Sequence, residues 1–310
     1  MKIAIIGAGA MGSLYASYLS EQNEVILFDT YQPQVDKINQ DGITIIENDN
    51  REKTYYPKAK TSGAGEVDID LIIVFVKSTF TYKAMEMNQN LIGPDTLVMT
   101  LQNGAGNNRD ISNFISEDRI IVGTTSHNCV TRGLGKCYHS GVGPSNIGPN
   151  IADSYILPKL TLIKQVFDQA NLEVNILDNI QEVIWSKIFV NCGINGLTMI
   201  MNCEIGEVLE NQKLWDLLQH IVYECVLVAE ADGTYFDRKK VMENVRYVAE
   251  VNKTGVASTC QDRRNHKATE IDKINGVIVE LAKQYNIDTP YNRMLVSMVH
   301  AVEAMYLTVK

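Results

Sequence analysis

Met1-Lys-Ile-Ala-Ile-Ile6 runs directly into Gly7-Ala-Gly9-Ala-Met-Gly12 and then into Ser13-Leu-Tyr-Ala-Ser-Tyr-Leu19. A short β-branched run, a G-x-G-x-x-G loop and an apolar small-residue helix in immediate succession form the strand–loop–helix context of a dinucleotide-binding fingerprint. Gly7 permits the tight turn, Gly9 lets the backbone approach a pyrophosphate, and Gly12 lets helix and strand pack closely. The free N–H groups where the helix starts, at Ala10, Met11 and Gly12, then face the phosphates. Glu24-Val-Ile-Leu-Phe28 reads as the next strand, and Asp29 ends it twenty residues after Gly9. A carboxylate there accepts hydrogen bonds from ribose hydroxyls and repels a 2′-phosphate. No Lys or Arg follows before Lys37, so NAD is expected over NADP. The plainer reading of Asp29, a turn residue ahead of Pro33, stays open.

The 310 residues are enough for two domains with full cores. A net charge of −9 with no basic block argues against nucleic acid and anionic membranes as partners. The apolar run Leu71 to Val76 is far too short to span a bilayer. The N-terminal stretch is broken by Gly7 and has only Lys2 as a basic region, so it is not expected to be a signal peptide. Six cysteines, Cys129, Cys137, Cys192, Cys203, Cys225 and Cys260, form no C-x-x-C pair and no ligand cluster with the five histidines. Reduced thiols, no metal and a cytoplasmic location are the expectation.

Apolar runs alternate with helical stretches in the first half, the pattern of a parallel sheet with crossover helices. Ile69 to Val76, Thr96 to Leu101, Arg119 to Gly123 and Asn171 to Leu177 are further strand candidates, with shorter strands and turns between Gly133 and Pro149. From Gln181 onward the periodicity is almost only helical, interrupted by Gly193, Gly196, Gly206, Gly233, Gly255 and Gly276. The expected architecture is α/β: a Rossmann-type domain over residues 1–178 followed by an all-helical domain over 179–310.

Trp185-Ser-Lys187-Ile-Phe-Val-Asn191-Cys-Gly-Ile-Asn195 carries the chemistry of the second half. Steps of four on a helix drift by about 40°, so Lys187, Asn191 and Asn195 share one face. Among apolar neighbours they are costly to bury without partners; a solvated polar stripe is the other reading. Glu270 is a candidate partner for Lys187, and the two would suit general acid work on a carbonyl. Asp272 reads as a surface or helix-pairing residue. Lys77, Ser78 and Gln102-Asn103-Gly104 follow strands of the first domain, where ligands of such folds bind. His127 is either a hydride-transfer residue or an ordinary loop histidine, and His266 reads as solvated.

Together these residues resemble the ketopantoate reductase family: the glycine motif at Gly7 to Gly12, Val76-Lys77, Gln102-Asn103-Gly104, the Lys187, Asn191, Asn195 helix, Ser258 with Gln261-Asp262, and Thr269-Glu270-Ile-Asp-Lys-Ile-Asn-Gly276. The resemblance implies a 2-oxo acid bound in the cleft between a Rossmann domain and a helical domain; separately, apolar helix faces would favour a homodimer. It implies Lys187 as general acid and Glu270 as the residue that positions it or the substrate. Lys77 and Asn103 would lie at the cofactor, Asn103 near the nicotinamide and the substrate. Asn191 and Asn195 would hold substrate oxygens, and Ser258 its carboxylate. Two departures matter. NADPH-using members usually carry a basic residue where Asp29-Thr30 stands, and the Asn often found three before the serine is Gly255 here. Both point to the family's NAD-dependent D-2-hydroxy acid dehydrogenases, which resemble D-mandelate dehydrogenases acting on branched or aromatic 2-oxo acids. The rival expectation is NADPH-dependent reduction of 2-dehydropantoate.

Overall fold

The computed structural model describes residues 1–104, 106–151 and 155–307. These group into two compact units, Met1–Asn103 with Asn107–Ile180, and the residues from Gln181 together with Gly104 and Gly106.

The first unit runs β1 (Lys2–Ile6), α1 (Ala10–Leu19), β2 (Glu24–Phe28), α2 (Gln32–Asp41), β3 (Ile43–Glu47), β4 (Glu52–Tyr55), β5 (Lys58–Lys60), β6 (Leu71–Val74), α3 (Thr81–Asn88), β7 (Leu97–Thr100), α4 (Asn107–Ser112), β8 (Ile120–Thr125), β9 (Asn128–Gly133), β10 (Lys136–Gly141), β11 (Ser145–Pro149), α5 (Ile156–Gln169) and β12 (Val174–Ile176). Eight strands form one sheet in the order β12-β11-β8-β7-β6-β1-β2-β5. Every neighbouring pair is parallel except β8 with β11. The unbroken apolar runs of β1, β6 and β7 are what a sheet covered on both faces demands. β2 and β6 flank β1 on opposite sides, so the chain reverses its strand order there, where such folds bind ligands.

A second sheet, β4-β3-β10-β9, has no counterpart in the sequence reading for β3 and β4. Glu52-Lys-Thr-Tyr55 is too short and too polar to stand out as a strand, and pairing with Ile43–Ile46 is what makes it one. Beside this sheet α1 presents Tyr15 and Tyr18. The buried Tyr15 hydroxyl bonds to Thr125 Oγ1 at 2.9 Å and Ser145 Oγ at 2.7 Å. Tyr18 bonds to Glu47, whose Oε2 lies 2.9 Å from His139 Nδ1; His139 Nε2 in turn lies 3.0 Å from His127 Nδ1. If His139 Nδ1–H donates to Glu47, its Nε2 accepts from His127 Nδ1–H, which leaves the unpartnered, buried His127 Nε2 as a bare acceptor. Burial, then the neighbouring His139, pushes the pKa of His127 down to about 4. His127 is therefore a neutral histidine of the interior.

The second unit holds α6 (Ile180–Met201), α7 (Ile205–Glu210), α8 (Gln212–Ala231), α9 (Arg238–Val251), α10 (Ser258–Arg264), a π-helical turn at Asp272–Gly276, α11 (Val277–Gln284) and α12 (Pro290–Leu307). Gly193 and Gly196 do not interrupt α6. A Cβ on Gly193 would meet Val222 and Leu218 of α8 at 2.9–3.0 Å, and one on Gly196 would meet Leu295 of α12 at 2.6 Å. At the two glycines, side chains of α8 and α12 pack against the α6 backbone where no methyl would fit. α6 is also long and apolar enough, by length and composition, to cross a membrane, with a mean hydropathy of 1.3 over its best window. In this unit most of that window is packed inside, with Trp185, Phe189, Ile194 and Leu197 in the core.

Asp272 pairs helices, as its position suggested: its Oδ1 lies 2.8 Å from His300 Nε2 on α12, and His300 Nδ1 lies 2.8 Å from Glu303 Oε2. Burial lowers the His300 pKa, but the bonds and charges of Asp272 and Glu303 outweigh it and the net shift is upward from 6.5. A raised folded pKa stabilises below the unfolded value, and that stabilisation disappears as pH rises through the folded one. His300→Ala should therefore lower Tm more at pH 6 than at pH 9, by thermal melts in matched ionic strength.

Candidate active site

The glycine loop is built by exclusion. A Cβ on Gly12 would lie 1.8 Å from the Gly7 carbonyl oxygen, and Gly7 has φ +106° with the Val76 backbone nitrogen at 2.8 Å from its own would-be Cβ. A Cβ on Gly9 would meet nothing within 4 Å, so the space above that residue is open. α1 begins beside it with no side-chain cap and no acidic residue in its first turn, leaving its first N–H groups to an anion. Asp29 fastens the loop from the end of β2: Oδ2 accepts from Ala8 N at 2.8 Å and Oδ1 from Tyr31 N at 2.9 Å. Gln34 Nε2 donates to the Ala8 carbonyl at 3.0 Å. Asp29 is thus both the turn residue of the plainer reading and a half-buried carboxylate held next to the loop. These residues fit a dinucleotide, whose phosphates would be held at Gly9 and by the free N–H groups of Ala10 and Met11.

Two more loops lie at the carboxyl ends of β6 and β7. Lys77 is exposed, and Ser78 behind it is buried. Asn103 is exposed, and its carbonyl accepts from Asn107 Nδ2 at 3.2 Å. Gln102, singled out above only as part of a motif, ties the loops together: its Nε2 donates to Val76 O at 2.7 Å and Thr81 Oγ1 at 2.9 Å.

In the helical unit, Lys187, Asn191 and Asn195 occupy one face of α6. Lys187 keeps some exposed surface, and Asn195 is buried. The Lys187 ammonium sits deep enough that desolvation pushes its pKa down from 10.5 to about 8, which a solvated stripe would not produce. Glu270 is half-buried in a segment tied to α12 on both sides. Upstream, Thr269 N donates to Glu303 Oε1 at 2.7 Å; downstream, Asn275 Nδ2 donates to Asn292 Oδ1 at 2.9 Å. The same segment touches α6, where Asn275 Nδ2 donates to Cys192 O at 3.0 Å and Cys192 Sγ–H donates to Ile274 O at 3.5 Å. Asn275 and Asn292 are fully buried and were not among the expected site residues; Asn275 lies within the quoted motif, but nothing in sequence alone distinguishes it from a helix-surface amide. Ser258 opens α10 and is exposed. His266 is exposed too. All six cysteines are buried free thiols, and no metal-binding cluster occurs among the described residues.

A nucleotide-binding α/β unit followed by a helical unit that carries a desolvated lysine defines a two-domain oxidoreductase class. Residues 3–151 match the family model described as "Ketopantoate reductase PanE/ApbA", and residues 179–303 match "Ketopantoate reductase PanE/ApbA C terminal". The chain belongs to the ketopantoate reductase family. It is 30% identical over 310 residues to a 2-dehydropantoate 2-reductase of Streptococcus pyogenes serotype M18, covering 98% of this chain and 99% of the relative. It is 31% identical over 308 residues to that of Pyrococcus abyssi, with 98% and 99% covered. Among solved structures, D-mandelate dehydrogenase with NADH and anilino(oxo)acetate matches at TM-score 0.91 and 30% identity over 100% of both chains. A PanE/ApbA family ketopantoate reductase from Ralstonia eutropha JMP134 matches at 0.88 and 28%, over 99% of both chains.

The glycines separate folding from binding. Gly9→Ala should leave Tm unchanged and weaken NADH binding by about tenfold or more, about 1.4 kcal/mol, in a fluorescence titration. Gly12→Ala should lower Tm as well, because its methyl meets backbone rather than a movable side chain.

Proposed function

We propose that the chain is an NAD(H)-dependent reductase of a bulky 2-oxo acid, branched or aromatic, that forms the (R)-2-hydroxy acid. The observation that carries this reading is Lys187, an ammonium set among apolar neighbours on α6 whose pKa burial lowers to about 8. A lysine near 8 is a far better proton donor at neutral pH than one at 10.4. NADH, when bound, supplies the hydride. Lys187 Nζ donates its proton to the carbonyl oxygen as negative charge develops there. Asn191 and Asn195, one and two turns further along α6, hold substrate oxygens, Ser258 receives the carboxylate, and Glu270 orients the ammonium. Asn103 and Lys77 serve the nicotinamide side. The preference for NADH rests on Asp29, whose carboxylate is held at the loop by two backbone N–H groups where a 2′-phosphate would need a cation. The solved relative with NADH and anilino(oxo)acetate supports both the cofactor and an aromatic 2-oxo acid. The second reading, NADPH-dependent 2-dehydropantoate reduction, is favoured by the names of the curated relatives.

Catalytic efficiency for a panel of 2-oxo acids, benzoylformate and 2-dehydropantoate included, measured with NADH and NADPH, separates the two. Tenfold or greater preference for NADPH, or for 2-dehydropantoate over every other acid, would sink the leading reading. The rate of reduction should fall as pH rises through about 8, since the donor must be protonated. Lys187→Ala should lower turnover by about 10² or more while NADH affinity stays put; a loss of only a few-fold removes Lys187 from the chemistry. Glu270→Gln should also reduce turnover, and strongly non-additively with Lys187→Ala. Fully additive losses would take Glu270 out of the pair.

A further inference from the structure

The proposed chemistry leaves unused a chain of buried polar side chains that runs from α8 through α12 to α6. Glu224 on α8 accepts from Tyr291 N and Asn292 N, both at 2.9 Å, and from Asn292 Nδ2 at 2.7 Å. It thereby serves the first turn of α12, whose leading residue Pro290 has no N–H to offer. Asn292 Nδ2 also donates to Ile221 O at 3.1 Å, and Asn292 Oδ1 accepts from Asn275 Nδ2 at 2.9 Å. Asn275 Nδ2 spends its second hydrogen on Cys192 O, in the middle of α6. Both amides have all their N–H groups committed to oxygens, so neither can be turned over without setting oxygen against oxygen. Donation therefore runs from Asn275 through Asn292 to the fixed carboxylate of Glu224, and the second N–H of Asn275 is left to reach α6.

Two features argue that this chain does more than fill space. Asn275 is fully buried, and its Oδ1 has no partner, a cost that an apolar side chain of similar volume would avoid. It also sits in the π-helical turn Asp272–Gly276, an insertion that costs regular hydrogen bonding and recurs at functional positions. That turn begins two residues after Glu270, and its Ile274 carbonyl takes the Cys192 thiol. Cys192 is thus gripped through backbone and side chain, next to Asn191 and between Lys187 and Asn195. Sliding α6 by one residue would move its face by about 1.5 Å along the axis and about 100° around it, and would break both grips.

We propose that Asn275 is a positioning residue for the reductase chemistry: it sets the axial register and rotation of the Lys187–Asn191–Asn195 face against the turn that carries Glu270, and Asn292 with Glu224 holds it in the one orientation able to do so. The inference rests on the reading of Lys187 as the acid.

The test is a double-mutant cycle on the full chain with saturating NADH and 2-oxo acid, run well below the melting midpoint of every variant. Asn275→Ala should lower turnover 10- to 100-fold, move the alkaline limb of the pH–rate profile, and leave the KM for NADH within about twofold. In a Lys187→Ala background the same change should cost less than about twofold, because the group it positions is gone. Val245→Ala, a cavity in α9 away from this chain of bonds, should lower Tm without these kinetic effects. If Asn275→Ala does not fold, Asn275→Ser, which keeps one donor, takes its place, with an intermediate loss expected. Equal fold-losses in both backgrounds, or turnover within threefold of the parent while Lys187→Ala is inactive, overturns the positioning role alone. A nearly active Lys187→Ala overturns the acid assignment and the positioning role with it.

Discussion

A lysine ammonium desolvated among the apolar side chains of α6 is the constraint around which the second unit is organised. Lowering the Lys187 pKa from 10.5 to about 8 corresponds to about 3 kcal/mol against its charged form. The helix tolerates this because its other faces bury Trp185, Ile188, Phe189, Ile194 and Leu197 against α8 and its neighbours, and each such side chain contributes about 1.5–3 kcal/mol. One destabilised cation is then carried by one well-packed helix. The glycines at 193 and 196 belong to the same use of space: they let Leu218, Val222 and Leu295 pack directly on the helix where a methyl would clash.

The first unit meets its own constraint with backbone instead of charge. Gly12 lies so close to the Gly7 carbonyl that no side chain fits, and the loop so formed is fastened by Asp29 and Gln34 through Ala8. Asp29 thus shapes the loop, besides the ribose contact proposed for it. That double duty changes how a substitution there reads: removing the carboxyl group frees Ala8 N as well as the ribose position, so a change in cofactor preference and a loosened loop arrive together. The neutral His127, joined to His139, Glu47 and Tyr18, stiffens the packing of α1 on the small sheet and takes no part in proton traffic near neutral pH.

Elements with one dominant physical signal were legible in the sequence. Glu24–Phe28 is the observed β2 to the residue, and the run into Gly7 is β1, because a parallel strand buried on both faces must be apolar throughout. β3 and β4 were not legible, since their strand character comes from pairing with each other and with β10 rather than from composition. The glycines of α6 read as interruptions because a sequence does not show which helix packs against them. Lys187 stood out for the opposite reason: a lone cation between Trp185 and Phe189 is anomalous in any environment. Asn275 and Asn292 carried no such anomaly. An amide in a helix is ordinary until its neighbours in space are known, and the partner of Asn275 on α6 lies 83 residues away in the chain.

The same distinction explains α6 as a whole. By length and composition it resembles a segment for lipid, yet a lipid-facing helix has no use for a fixed rotation about its own axis. α6 has one. Lys187, Asn191 and Asn195 define a face, Gly193 and Gly196 define where α8 and α12 come in, and the Cys192 carbonyl and thiol are both taken by the π-helical turn. Apolar packing alone is tolerant of small rotations, because one aliphatic contact replaces another at little cost. Hydrogen bonds between buried groups are not, because each lost partner leaves a desolvated polar atom. The apolar side chains therefore supply the stability of α6, and the few buried amides and thiols supply its register, which is the property the proposed reaction at Lys187 depends on.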